Sequence, residues 1–225
     1  MKIIEAENLT KTYQMGEVEV NAVKNLNLGI EKGSFVSVMG PSGSGKSTLM
    51  HLLGLLDMPT DGELVISGRK TSDLNERHRA EMRLKRIGLI FQFYSLLTGF
   101  DSLQQVILPQ MLDNVKEERA RDRAKECLKK VGLGDRIDHK PSELSGGQRQ
   151  RVAVARALAG NPNILLADES TSQLDTETSK KIMELYRDIS NQGKTVITVN
   201  HEEELGEMAD RKIWLEDGKL KKRNI

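Results

Sequence analysis

The feature that most constrains the fold is the stretch GPSGSGKST at positions 40–48, which lies between the apolar run FVSVM and the leucine-rich run LMHLLGLL. Glycines are unusual where a strand passes into a helix, because they favour neither element. They are useful where backbone N–H groups must turn inward and approach an anion closely. The positive end of the following helix would face the same anion. The stretch therefore predicts a phosphate-binding loop in an α/β protein.

The spacing of this loop also predicts which residues do the binding. A glycine, four residues, then Gly-Lys-Ser is the phosphate-loop pattern of proteins that bind nucleoside triphosphates. Lys46 can reach the β- and γ-phosphates, and Ser47 can ligate Mg²⁺. The alternative is a Gly/Ser-rich turn without a ligand, which the strand–helix context disfavours. The predicted nucleotide-binding residues here are Gly40, Ser42, Gly43, Ser44, Gly45, Lys46, Ser47 and Thr48.

A second motif is the apolar strand NILLADES, which ends in two carboxylates. Asp168 at its end can hold Mg²⁺ directly or through water, and Glu169 can polarise an attacking water as a general base. A strand that simply ends in an acidic turn is the alternative. Downstream of a phosphate-binding loop, the catalytic interpretation is favoured.

The third motif is LSGGQRQRVAVARAL, in which Ser145 and Gln148 form a predicted capping box, so that a helix begins at Ser145. Gly146 and Gly147 are poor helix formers in its first turn. They are explained if the backbone N–H groups press against a phosphate. Chance glycines at a helix start are the alternative.

The rest of the chain alternates strand and helix patterns, which favours a mostly parallel sheet. The N-terminal segments KIIEAENL and VEVNAVKNLNLGI predict strands, and RKIWLEDGKLKK predicts a closing hairpin. Residues 95–160 carry almost no strand signal and predict a helical insertion, with a capping box at Asp101 and Gln104.

Composition excludes some classes of function. The formal net charge is +1, from 34 basic and 33 acidic residues, so no excess of positive charge indicates direct binding of nucleic acid. One cysteine, Cys127, allows no internal disulfide. The N-terminus has no secretory apolar core, and no apolar run approaches the ~18 residues of a spanning helix. We therefore expect a cytoplasmic protein. If it acts at a membrane, a partner would supply the membrane-spanning part.

Six motifs in a fixed order resemble the nucleotide-binding subunit of an ABC transporter, over essentially the whole chain. They are GPSGSGKST, FQ at 91–92, LSGGQ at 144–148, ILLADE, TSQLD at 171–175 and NH at 200–201. The resemblance implies one ABC ATPase domain over residues 1–225. Its α/β P-loop core would comprise residues 1–94 and 161–225, with an antiparallel N-terminal β subdomain, and its inserted α-helical subdomain would comprise about 95–160.

The resemblance also implies roles that spacing alone does not. Tyr13 matches the aromatic residue that stacks on adenine, and His201 matches the histidine that contacts the γ-phosphate. Gln92 matches the residue that senses Mg²⁺ and the attacking water. Taken alone, these would be a strand-edge tyrosine, a capping histidine and a surface glutamine. The predicted catalytic set is then Glu169, His201, Lys46 and Gln92, and the metal set is Ser47, Gln92 and Asp168.

A head-to-tail homodimer is a further implication, with ATP and Mg²⁺ between the phosphate loop of one chain and the LSGGQ segment of the other. The residues acting across that seam would be Ser145, Gly146, Gly147, Gln148 and Asp175. An isolated monomer would bind ATP and hydrolyse it poorly.

Stretches such as MGPSGSGKSTLMHLLGLLDMPTDGEL resemble the branch that serves lipoprotein release and macrolide or peptide export. The expected function is an ATPase that powers an integral membrane permease, held on the inner face of the membrane by that partner. One alternative is a regulatory ATPase of a signalling or cell-division complex without cargo. Another is a soluble ABC protein, for example in metal-cluster assembly.

Four positions depart from the usual pattern of the family. Ser170 stands where proline usually follows the catalytic glutamate, and Gln173 replaces an alanine in TSQLD. Asn200 replaces the common threonine before the histidine, and Glu202 replaces an aspartate. Loss of proline loosens the loop after Glu169 in the unbound chain.

Overall fold

The structure, a computed structural model, describes residues 1–221 and contains two β-sheets. The strands are, in chain order, β1 (Lys2–Met15), β2 (Val18–Glu31), β3 (Phe35–Met39), β4 (Asp61–Ile66), β5 (Arg69–Lys70), β6 (Ile87–Ile90), β7 (Ile164–Asp168), β8 (Thr195–Val199), β9 (Arg211–Glu216) and β10 (Lys219–Lys221). The first sheet is antiparallel, in the order β2-β1-β4-β5. The second has the order β10-β9-β3-β8-β7-β6 and is parallel except for β10. The predicted fold class is confirmed.

The helices are α1 (Lys46–Leu53), α2 (Glu76–Arg86), α3 (Ser102–Leu112), α4 (Glu117–Lys130), α5 (Gly146–Leu158), α6 (Thr176–Asn191) and α7 (Glu203–Glu207). The segment 95–160 contains α3, α4 and α5 and no strand, as its pattern predicts. Both predicted capping boxes are present, at Asp101–Gln104 and at Ser145–Gln148. The division of the chain into a core and a helical subdomain stays a prediction.

The parallel sheet separates two hydrophobic cores, because neighbouring residues of each strand point to opposite faces. On one face, Val36, Leu166 and Ile197 pack with α1 and the antiparallel sheet. On the other, Leu165 and Val196 pack with α3, α4, α5 and α6. Burial on both faces explains why β3, β7 and β8 are almost continuously apolar.

Leu49, Leu52, Leu53 and Leu56 follow the phosphate-binding loop at helical spacing, which predicts a helix that includes Leu56, but α1 is shorter. The spacing includes Leu56, but α1 ends at Leu53, and the N–H of Gly54 closes its last turn on Met50 O at 2.8 Å. Leu55 follows with φ of 55°, a left-handed conformation that cannot continue the helix. Leu56 is consequently exposed.

The carboxyl ends of β3, β7 and β8, which are adjacent in the sheet, meet at one edge. The phosphate-binding loop follows β3, Asp168 ends β7, and His201 follows β8. Ligands of open parallel sheets bind at this edge. Within residues 1–221, the helices are too short or too polar to cross a lipid bilayer.

Candidate active site

The phosphate-binding loop is fixed between two other parts of the chain. Gly40 has φ of 149°, and a Cβ there would lie 2.0 Å from the carbonyl oxygen of Leu215 on β9. Gly45 has φ of 100°, and its Cβ would lie 2.1 Å from the carbonyl oxygen of Ala22 on β2. Any side chain at either position would displace backbone. The two glycines are therefore required by packing within the chain as well as by the approach of an anion.

Lys46, the first residue of α1, is only 4% exposed. Its Nζ donates to the carbonyl oxygens of Gly40 at 2.9 Å and Pro41 at 2.7 Å. Burial lowers the pKa of Lys46, and the charges of Glu169 and Asp168 act in the opposite direction. A buried cation that bonds only neutral carbonyls is well suited to receive an anion.

Asp168 and Ser47 form an oxygen-rich corner that fits Mg²⁺. Oδ1 of Asp168 is buried without a hydrogen-bond partner. Burial, followed by the charge of Glu169, raises the pKa of Asp168, while the Ser47 side chain stabilises its charged form. An orphaned carboxylate oxygen beside a hydroxyl is a suitable ligand set for this hard cation when phosphate oxygens and water complete its shell. Residues 1–221 contain no group of three or more acidic, histidine or cysteine side chains that would hold a metal unaided.

Glu169 and His201 are in direct contact, although 32 positions separate them. Glu169 Oε1 lies 2.5 Å from His201 Nε2, a short hydrogen bond. The backbone of Glu169 has φ of 47°, which is uncommon for a residue with a side chain. The two predicted catalytic side chains are thus brought together, and both line the cleft that contains the phosphate-binding loop.

Lys46, Ser47, Glu169 and His201 line a cleft of about 360 Å³, and Asp168 lies just outside its lining. Its lining residues are Val20, Asn21, Ala22, Lys24, Ser42, Gly43, Gly45, Lys46, Ser47, Thr48, Glu169, His201, Asp217 and Gly218. The sequence motifs do not reveal the contributions of β2 and of the β9–β10 turn. The N–H of Gly218 bonds the carbonyl oxygen of Ser44 at 3.0 Å, and the N–H of Lys24 bonds that of Gly218 at 2.8 Å. The Asp-Gly turn of the closing hairpin is the only local signal for this position.

Tyr13 lies beside the cleft without lining it. Its hydroxyl donates to Asp57 Oδ2 at 2.8 Å, and Lys11 bonds the other oxygen of Asp57 at 2.6 Å. The side chain of Thr48, which does line the cleft, acts to lower the pKa of Tyr13, whereas burial and Asp57 raise it. Gln92 lies just beyond β6, half-buried, and is not among the lining residues. The roles predicted for both side chains stay predictions.

The predicted trans-acting residues form a separate group. Ser145 caps α5, and Asp175 caps α6 by accepting from the N–H of Thr178 at 2.9 Å and its Oγ1 at 2.7 Å. A Cβ on Gly147 would lie 2.4 Å from Cγ2 of Thr178, so an internal contact also requires this glycine. None of Ser145, Gly146, Gly147, Gln148 or Asp175 lines the cleft around Lys46.

Comparison with known proteins identifies the family. The family described as ABC transporter matches residues 23–172. The lipoprotein-releasing system ATP-binding protein LolD of Aquifex aeolicus is 40% identical over 97% of this chain and 96% of its own. The macrolide export ATP-binding/permease protein MacB of Bdellovibrio bacteriovorus is 48% identical over 96% of this chain, which corresponds to 33% of MacB.

A solved structure agrees with these relatives. The ATP-binding cassette MJ0796 of Methanocaldococcus jannaschii, in a dimeric post-hydrolysis state bound to ADP and Pi, superposes with a TM-score of 0.89. It is 45% identical, with 97% of each chain covered. The chain therefore belongs to the ABC transporter family as an ATP-binding cassette subunit with ATPase activity.

Proposed function

We propose that two copies of this chain bind ATP and Mg²⁺ between them and hydrolyse ATP to drive a membrane permease. Each ATP would lie between the phosphate-binding loop of one copy and the LSGGQ segment of the other. The observation that carries the proposal is the cleft itself, which is lined by Lys46 and by the hydrogen-bonded Glu169–His201 pair. The LSGGQ residues lie outside that cleft, so one chain supplies only part of the predicted site.

Residues in and around the cleft have different proposed roles in ATP hydrolysis. Loop N–H groups and Lys46 would bind the β- and γ-phosphates, with the N-terminus of α1 behind them. Ser47, Asp168 and Gln92 would hold Mg²⁺, which neutralises phosphate charge when bound. Glu169 would accept a proton from the attacking water. His201 would orient the Glu169 carboxylate through their hydrogen bond and contact the γ-phosphate.

The dimer is supported by the relatives, since MJ0796 is described as a dimeric cassette bound to ADP and Pi. The names of two relatives and an exposed apolar surface of this chain support the permease partner. LolD belongs by name to a lipoprotein-releasing system, and MacB is by name both ATP-binding and permease protein. On and before α3, this chain exposes the apolar residues Phe93, Leu97, Met111 and Leu112. We place the protein on the inner face of the cell membrane, bound to an export or extraction permease.

The first experiment is light scattering on the Glu169→Gln variant with and without ATP. Loss of the general base should leave ATP binding intact and stop turnover, so ATP should convert the monomer into a stable dimer. The wild-type chain with ADP is the matched control and should stay monomeric. Normal turnover in the variant, or a monomer that binds ATP without dimerising, would contradict the proposal.

The partner is tested separately, by co-purification of the cassette from a detergent-solubilised whole-cell lysate of its host. Recovery of a permease with a large extracytoplasmic domain supports export or extraction. Recovery of a division or sensor protein supports the regulatory alternative. Recovery of a soluble assembly partner supports the metal-cluster alternative.

A further inference from the structure

The turn that carries Glu169 has an unusual backbone. Its φ of 47° is left-handed, and such a residue keeps this conformation only where its surroundings hold it. Ser172 contributes two bonds to the carbonyl oxygen of Glu169, from its N–H at 3.2 Å and from its Oγ at 2.9 Å. These bonds fix the turn on its exposed side.

On the buried side, the turn is held by a hydroxyl pair. Ser170 is 4% exposed, and its Oγ accepts a hydrogen bond from the Tyr186 hydroxyl at 2.9 Å. Tyr186 lies on α6 and is fully buried. Burial raises the pKa of Tyr186 to about 12, so that its hydroxyl keeps its proton and remains a donor at neutral pH. A buried phenylalanine would fill nearly the same space, and only the hydroxyl reaches Ser170.

A third polar side chain near this pair belongs to α5, the helix that begins at the LSGGQ segment. Gln150 is fully buried on α5, and neither polar atom of its side chain has a hydrogen-bond partner. Its amide is near enough to the Tyr186 hydroxyl to act against the rise in the pKa of Tyr186. A buried amide without a partner is unfavourable, so a small displacement of α5 that brings it into a hydrogen bond with Tyr186 would be stabilising.

We propose that Ser170, Tyr186 and Gln150 form a positioning relay, which holds the Glu169 turn in its active conformation and ties it to the LSGGQ helix. The proposal rests on the proposed function, in which Glu169 is the general base. In relatives with proline after the glutamate, the pyrrolidine ring restrains the turn by itself. In this chain the restraint comes from side chains, and one of them lies on the helix that would contact the ATP of the partner copy.

The test is steady-state ATPase kinetics of Tyr186→Phe, Ser170→Ala and the double variant. Each single variant should lower kcat by about tenfold, because displacement of a catalytic group is costly. KM for ATP should change by less than about twofold, since none of the three residues touches the nucleotide. The double variant should equal the single variants, because all remove the same bond. Gln150→Leu should lower kcat in the wild-type background and have no further effect with Tyr186→Phe.

Ser190→Ala is the matched control, since it removes another buried hydroxyl of α6, which bonds the carbonyl oxygen of Gly33 at 3.1 Å far from Glu169. It should lose a similar amount of thermal stability and keep wild-type kcat. If Tyr186→Phe and Ser170→Ala also lose stability and keep kcat, the pair is only structural. A silent Gln150→Leu would overturn the link to α5. Glu169→Gln, assayed in parallel, separates the two proposals, because normal turnover there would refute the base itself.

Discussion

At the scale of single residues, the site contains buried charged groups that lack an oppositely charged or hydrogen-bonding partner in the free chain. A bound ligand could supply that partner. Lys46 is the clearest, because it is buried and bonds only carbonyl oxygens. We expect Lys46→Ala to weaken ATP binding by about 100-fold, equivalent to roughly 3 kcal/mol for a lost charge-assisted contact. Isothermal titration calorimetry measures this directly.

Lys194→Ala is the matched control for that substitution. Lys194 is also partly buried and donates to the carbonyl oxygen of Pro162 and to Asn161 Oδ1, away from the cleft. The Lys194→Ala variant should bind ATP with the affinity of the wild type. Equal affinities of wild type and Lys46→Ala would refute the phosphate-loop assignment.

Asp168 predicts a dependence of stability on pH. Burial, then the charge of Glu169, raises its pKa in the folded chain above the ordinary value of 3.8, so the folded state binds this proton more tightly than the unfolded state. The resulting stabilisation is complete below pH 3.8 and is lost as pH rises through the raised pKa. Without nucleotide and Mg²⁺, Asp168→Asn should therefore increase the free energy of unfolding at pH 7.

The measurement is urea unfolding of both chains between pH 3.5 and 7.5, in EDTA. The difference in the free energy of unfolding between variant and wild type should shrink toward zero at the acid end of this range, where the Asp168 carboxyl group of the wild type is protonated. A constant difference across this range, or a less stable variant at pH 7, would show that ionisation of the buried Asp168 carboxyl group does not destabilise the fold. In either case the variant should lose Mg²⁺-dependent ATPase activity.

Sequence motifs reveal residues whose chemistry is specific, and miss those that act through position. Lys46, Glu169 and the LSGGQ segment are recognisable because few residue types can do their work. Ala22 and Leu215 contribute only carbonyl oxygens that confine the glycines, so no side chain marks them. Tyr186 reads as one more apolar position of α6, and only the packed structure reveals its bond to Ser170.

At the scale of elements, the first turn of α5 packs against the first turn of α6. A Cβ on Gly147 would lie 2.4 Å from Cγ2 of Thr178, so we expect Gly147→Ala to destabilise the chain by about 1–3 kcal/mol through overpacking. Thermal unfolding of the nucleotide-free chain measures this. Thr178→Ser removes the clashing methyl group and keeps the hydroxyl that bonds Asp175, so the double variant should recover most of the stability.

Dimerisation of the same double variant, made in the Glu169→Gln background, distinguishes the two reasons for the glycine. If the N–H groups of Gly146 and Gly147 also press against a phosphate of the partner copy, an added Cβ should prevent the ATP-dependent dimer even when stability is restored. A stable double variant that still dimerises with ATP would mean that Gly147 serves internal packing alone.

Elements are predictable where one physical signal dominates. The buried strands are long apolar runs, and the caps of α3 and α5 carry their own hydrogen-bonding residues. The end of α1 is not predictable from leucine spacing, because Leu55 adopts a left-handed backbone and Arg83 of α2 bonds its carbonyl oxygen at 2.6 Å. That contact joins residues 28 positions apart and has no local signal.

At the scale of the whole molecule, the fold separates the cleft around Lys46 from the LSGGQ segment. The cleft gathers the ends of three parallel strands, and the LSGGQ segment begins a helix outside it. If each ATP site takes one half from each copy, two inactive variants should restore each other. Lys46→Ala keeps the LSGGQ segment, and Ser145→Arg keeps the phosphate-binding loop. Ser145 is exposed, so arginine fits the single chain apart from loss of the α5 cap, which costs about 1 kcal/mol, and it would obstruct the partner's nucleotide.

An equal mixture of these two variants should recover about a quarter of wild-type ATPase activity, because half of the dimers are mixed and each has one intact site. Lys46→Ala mixed with Glu169→Gln is the matched control. Both of those residues belong to the cleft of the same chain, so every site in that mixture lacks one of them and no activity should return. If the first mixture stays as inactive as the control, the LSGGQ segment belongs to the site of its own chain, even though the residues at the start of α5 do not line the cleft.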